Sequence, residues 1–213
     1  MRLKIFCLIP AYNECGNIEE LTLRLAKILS FRKIPFTIFY VLQGDKKAVT
    51  LLDALQKRYP VRYVYFPRPL GIGNAYRMGF AHVKPPYTHV LTLDADLNHT
   101  PEELPKFFSA LNTFHPDIII GARFIEGGKF KDNRLWKRIM SNLTNILVNQ
   151  IFHIAIRDKT SGYRLIKREI VEKVRGKLKE SGYPGYMEFI LLAHGSGATI
   201  HEVPITYVPR KWG

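Results

Sequence analysis

The tightest constraint on the fold is an alternation between short apolar runs and helical patterns. Leu3 to Ile9 is a nearly unbroken apolar run, the pattern of a strand buried on both faces in a parallel sheet. It stops at Pro10-Ala-Tyr-Asn-Glu14. Ile18, Leu21, Leu25 and Ile28 then recur at helical spacing, with Asn17 and Glu20 placed as a capping pair. Phe36 to Leu42 reads as a second strand, Lys47 to Tyr59 as a second helix and Val61 to Phe66 as a third strand. This βαβαβ order predicts an α/β domain whose open, mostly parallel sheet carries helices on both faces.

A further apolar run ends at Leu93 and delivers Asp94-Ala95-Asp96-Leu-Asn98 ahead of a helix start at Pro101. Open α/β sheets bind ligands at the carboxyl ends of their strands, which is where this pair of carboxylates falls. Two aspartates so close repel unless a cation lies between them or one is protonated. The plainer alternative is a solvated turn with a helix cap. Between Arg68 and Gly79, Gly71 and Gly73 suit either an anion at a helix N-terminus or tight packing of that helix. Asp117 to Gly121 reads as a fifth strand ending near Arg123, and Gly127-Gly128 break the chain. Asn133 to Ile156 is amphipathic with Lys137 and Arg138 near its start, a pattern for packing on the sheet or resting on a membrane surface. Asp158 opens a polar turn into a strand from Tyr163 to Ile166. Helices follow from Arg168 to Leu178 and from Tyr186 to His194, and Thr199 to Val208 is a last strand that Pro204 assigns to an edge.

With 213 residues there is length for one domain with a real core. The net charge of +14 points to an anionic partner, a nucleotide or the phosphate-rich face of a membrane, or else to a Lys/Arg-rich surface. No zinc-ligand spacing or basic zipper is present, so nucleic acid is not an expected partner. Cys7 and Cys15 form no disulfide framework, and a reducing, cytoplasmic setting is the simplest expectation. No apolar run approaches the length of a membrane span, so any membrane association is expected to be peripheral, on the cytoplasmic face.

Five pieces then line up in order: Ile9-Pro-Ala-Tyr-Asn-Glu14, Arg68 to Gly79, Asp94 to Glu102, Gly121-Ala-Arg123-Phe with Gly127-Gly128, and Asp158-x-Thr-Ser-Gly-Tyr-Arg164. Together they resemble the family 2 glycosyltransferases of GT-A fold, and within them the polyprenyl-phosphate (dolichol-phosphate) mannose and glucose synthases. The resemblance implies a single Rossmann-like domain over residues 1–213 with a small C-terminal antiparallel addition. Residues 1–124 would be its nucleotide-sugar half and 125–213 its acceptor-side half. It implies a metal-dependent, inverting transfer of a hexose from GDP-mannose or UDP-glucose to a polyprenyl or dolichyl phosphate at an anionic membrane surface.

Residue by residue, the resemblance assigns the nucleotide sugar to Pro10, Tyr12, Glu14, Val41, Gln43, Asp94, Ala95, Asp96, Arg123 and Arg210. It gives Mg²⁺ or Mn²⁺ to Asp96 and Asn98, and the acceptor phosphate to Arg123, Lys137 or Arg138, and Ser141. Relatives acting on sugar hydroxyls carry a late catalytic aspartate, for which Asp158 is the candidate. Two departures stand out. Leu42-Gln43-Gly44-Asp45 replaces the usual Asp-Asp-Gly-Ser, so an amide stands where a carboxylate normally meets the base or ribose. The sequence also stops soon after Arg210, before a small-residue turn and a lysine. Alternatives are a transferase acting on a sugar hydroxyl and a non-catalytic nucleotide- or membrane-binding relative.

Overall fold

The structure, a computed structural model, describes residues 2–131 and 154–209. Its first strand, β1 (Ile5–Tyr12), is followed by α1 (Cys15–Phe31), β2 (Phe36–Gln43), α2 (Lys47–Gln56), β3 (Val61–Phe66) and α3 (Ile72–Ala81). Then come β4 (His89–Thr92), a 3₁₀ turn at Pro101–Glu103 running into α4 (Leu104–Phe114), β5 (Ile118–Ala122) and the short β6 (Lys129–Phe130). After the undescribed segment lie β7 (Arg164–Lys167), α5 (Arg168–Val174), α6 (Pro184–Gly195), β8 (Ile200–Pro204) and β9 (Thr206–Tyr207).

Seven strands form one sheet in the order β3-β2-β1-β4-β7-β5-β8, and β6 pairs with β9 in a separate ribbon. All pairs in the large sheet are parallel except those made by β7, which runs antiparallel to both β4 and β5. The expected mostly parallel sheet with a C-terminal antiparallel element is therefore present. The antiparallel strand sits inside the sheet, and the appended ribbon is parallel.

Side-chain alternation along β1 divides the core into two layers. Ile5, Cys7, Ile9 and Ala11 pack with α1, α2 and α4, while Phe6 and Leu8 pack with α3, α5 and α6. Helices thus cover both faces, which explains why the strands lack polar residues over most of their length.

Several boundaries differ from the sequence reading: β1 runs on through Pro10 to Tyr12, and α2 stops at Gln56. Helix α1 begins at Cys15, and Asn17 lies inside it, buried, donating through Nδ2 to Glu14 Oε2 at 2.6 Å instead of capping the helix. The helix after β7 stops at Val174 and continues as a single 3₁₀ turn through Lys177. The last strand divides at Ile205, with β8 on the sheet edge and β9 in the ribbon, because β5 ends at Ala122 and offers β9 no partner. Pro204 is on an edge as expected. The amphipathic segment with Lys137, Arg138 and Ser141, and Arg210 near the end, lie outside the described residues. Among the described residues, no helix is long and apolar enough to cross a membrane.

Candidate active site

The strand order reverses between β1 and β4, so a crevice opens beyond their carboxyl ends. Asp94 and Asp96 lie just past β4 on its rim. Leu97, buried and left-handed at φ +59°, turns the chain there, and Asp96 Oδ1 accepts the Asn98 N–H at 3.0 Å. A buried leucine in that region is uncommon, and it sets the direction of the residues on either side. The end of β4 is tied down by Thr92 Oγ1, which donates to Gly162 O at 2.7 Å.

Asp94 is about a quarter exposed, and Tyr186 of α6 donates to its Oδ1 at 2.5 Å. Tyr186 lies over the Arg164 guanidinium, 5.5 Å from Cζ to the ring centre. A Cβ on Gly162 would stand 3.0 Å from Tyr186 Oη and 3.1 Å from Asp94 Oδ2, so only glycine leaves room for the pair. Neither Tyr186 nor Arg164 stands out in the sequence as a partner of Asp94.

Asp96 is almost fully buried, and so is Asn98, whose Nδ2 donates to Tyr207 Oη. Asn98 Oδ1 is sealed from solvent without a hydrogen-bond partner. A buried amide oxygen left open beside a carboxylate fits a hard divalent cation. Among the described residues there is no cluster of three His, Cys, Asp or Glu side chains able to hold a metal alone. Two protein oxygens plus substrate phosphates suit Mg²⁺ or Mn²⁺ and do not suit zinc. His99 packs between the rings of Tyr163 and Tyr207, and burial, with Arg123's charge behind it, pushes it down to about 3. It is a neutral packing residue.

Tyr207 joins this carboxylate loop to a cation. Its ring stacks on Phe130 and lies 5.3 Å from the Arg123 guanidinium carbon. Burial, then the charge of Asp96, pushes its hydroxyl up to about 12, so it stays neutral. Arg123 is clamped by Asp158: Nε and one terminal nitrogen each reach the carboxylate at 2.8 Å, and the Arg123 backbone N–H adds a bond at 2.9 Å. Thr160 Oγ1 donates to the same carboxylate at 3.0 Å. Asp158 is fully buried. Burial works against its charge, yet Arg123 outweighs it and holds the carboxyl below its ordinary value.

Of the other expected nucleotide residues, Tyr12 is half exposed at the end of β1, and Glu14 accepts from Asn17 just beyond it. Gln43 ends β2 with its Oε1 accepting the Leu70 N–H at 2.7 Å. Pro10 is buried in β1, and the side chains of Val41 and Ala95 belong to the core, so these three contribute no side-chain surface to the crevice. The glycine stretch resolves in favour of packing. Gly73 and Asn74 at the start of α3 both donate to Ser181 O, so a protein carbonyl occupies the place an anion would take.

Residues 6–175 match the family model of glycosyl transferase family 2. The dolichol-phosphate mannosyltransferase of Pyrococcus furiosus is 32% identical over 99% of this chain. The polyprenol monophosphomannose synthase of Mycolicibacterium smegmatis is 30% identical over 97%. The chain spans 58% of the length of the first and 78% of the second. In fold it is similar to glucosyl-3-phosphoglycerate synthase from Mycobacterium tuberculosis in complex with Mn²⁺, UDP and glucosyl-3-phosphoglycerate. That likeness has a TM-score of 0.70 at 15% identity and covers 99% of this chain and 73% of the other. With the matched region covering most of the chain and the carboxylate loop at the mouth of a GT-A sheet, this chain belongs to glycosyl transferase family 2.

Proposed function

We propose that this chain carries a metal-dependent, inverting glycosyltransferase that moves a hexose from a nucleotide sugar to a polyprenyl or dolichyl phosphate. The observation that carries the reading is the open, buried Asn98 Oδ1 beside Asp96 at the switch point, in a chain akin to two lipid-phosphate mannose transferases. Asp96 and Asn98 would hold the cation, and Asp94, fixed by Tyr186, would face the donor at the same rim. A bound Mg²⁺ or Mn²⁺ would supply Lewis-acid stabilisation of the departing diphosphate. In the transfer, the bond from the sugar C1 to the diphosphate oxygen breaks as one from C1 to the acceptor phosphate oxygen forms. That oxygen is ionised near neutral pH and needs no general base.

Arg123 is the described cation at the acceptor side, with Lys137, Arg138 and Ser141 further candidates and Arg210 a candidate for the diphosphate. Asp158 would serve as a positioning residue: its clamp aims Arg123 while its lone pairs are engaged. This favours a lipid phosphate over a sugar hydroxyl, whose deprotonation would require an uncommitted carboxylate. The net charge of +14 supports peripheral attachment to an anionic bilayer.

The test is transfer of radiolabelled hexose from GDP-mannose or UDP-glucose into dolichyl phosphate, with Mn²⁺ and with chelator. Label is expected in the lipid phase only with metal, and Asp96→Ala is expected to lose about a hundredfold or more. Full activity in Asp96→Ala, or label passing only to soluble sugars, would overturn the reading.

A further inference from the structure

We propose that Gln43 reads the donor's base as a hydrogen-bond donor, so that the base edge it meets carries an acceptor, a carbonyl oxygen or an unprotonated ring nitrogen. The inference rests on the nucleotide-sugar reading above. Gln43 is the last residue of β2, paired in register with Tyr12 at the end of β1. Its side chain is 3% exposed. The Leu70 N–H, 2.7 Å from the amide, is a donor and can meet only the amide oxygen, which fixes which way the amide points.

The other end, Nε2, has no hydrogen-bond partner among the described residues, and it is not sealed from solvent. Part of the small exposed area of Gln43 therefore belongs to Nε2, which carries two N–H donors. Around it the backbone is already engaged. Gln43 O accepts from Asn13 N, Gly44 N donates to Phe66 O, and Gly44 O accepts from Tyr65 Oη at 2.9 Å. The half-exposed ring of Tyr12 lies beside this point, 3.1 Å from where a Cβ on Gly44 would stand. An aromatic face next to a fixed edge donor is the arrangement that holds a planar base by stacking and reads its rim.

A carboxylate at this position would present the opposite polarity, accepting from a base N–H and repelling a base carbonyl. Gln43→Glu is therefore a selective probe, because one carboxylate oxygen still accepts the Leu70 N–H while the outward group changes from donor to acceptor. Binding of Mn²⁺ complexes of UDP, GDP and pyrophosphate would be measured by calorimetry for the wild type, Gln43→Glu and Gln43→Met, above neutral pH so that the new carboxyl is ionised.

Wild type is expected to bind at least one of the two nucleotides, and both variants to weaken it about tenfold or more, with pyrophosphate unchanged. Nucleotide affinity within about twofold of wild type in Gln43→Glu would overturn the proposal, since that change lies inside the spread of a neutral substitution. Equal weakening of nucleotide and pyrophosphate would also overturn it, because the effect would then not lie at the base. A wild type that binds pyrophosphate but neither nucleotide would instead sink the nucleotide-sugar reading on which this one stands.

Discussion

Tyr186 and Asp158 are two side chains whose roles come from partners far away in sequence. Tyr186 reaches Asp94 across 92 positions, and its hydroxyl is the hydrogen bond that orients this carboxylate. A hydrogen bond to a charged group is worth about 1.5–3 kcal/mol. Tyr186→Phe is thus expected to lower kcat by about ten- to a hundredfold and the melting temperature by several degrees. Steady-state kinetics with varied donor would check this, and an unchanged kcat would remove Tyr186 from the site. In Asp158→Ala the buried Arg123 loses its carboxylate partner, which costs about 3–5 kcal/mol. Urea denaturation should register that loss.

Asp94 and Asp96 are legible in the sequence because they follow an apolar run, at the strand end where open α/β sheets bind ligands. Tyr186 is not legible, since an aromatic at helical spacing reads as core until the fold sets it beside an aspartate. Asp158 is visible as a polar residue in a turn, but its partner Arg123 is 35 positions away, and only the folded chain makes one a clamp for the other.

At the scale of elements, α3 shows how a glycine motif can mislead. The glycines before and inside it suggest a phosphate cradle, yet their backbone faces the chain leading into α6. A Cβ on Gly73 would fall 2.1 Å from the Glu180 carbonyl oxygen, a contact the backbone must yield to. Gly73→Ala is expected to cost about 1–3 kcal/mol. Gly195, at the end of α6 with open space around it, is the matching control. There alanine should be neutral or stabilise by up to about 1 kcal/mol. Thermal melts of the two variants would separate packing from chain entropy. Strands are the most legible elements, because runs such as Ile118–Ala122 are apolar throughout. The last strand divides where the sequence shows one run, because Thr199 to Val208 is continuous in pattern while its partners are not.

Across the whole molecule, two buried histidines contribute to the response to mild acid. Burial, reinforced by Lys167, pushes His89 down to about 4, and His99 lies near 3. An unfolded histidine titrates near about 6.5. Below that pH the unfolded chain binds protons that the folded one refuses, so stability present above it is lost progressively towards about pH 4. The melting temperature is expected to hold from about pH 8 to 7 and to fall steadily below about 6.5. A flat profile down to about pH 5 would show that these rings gain protons without unfolding. Replacing His89 with glutamine should flatten part of the slope.

The placement of β7 bears on how the chain can be made. A ribosome releases β1 to β5 well before Arg164–Lys167, yet β4 and β5 make no pair with each other and meet only through β7. Until that strand emerges, the nascent sheet has an open edge at β4, and β5 waits without a neighbour. Synthesis at about 5–20 residues per second leaves that edge bare for seconds, long enough for a chaperone or a second nascent chain to reach it. The stretch that joins β4 to β5 is also continuous with Asp158 and Gly162, so the clamp on Arg123 and the joined sheet arrive in the same moment of synthesis.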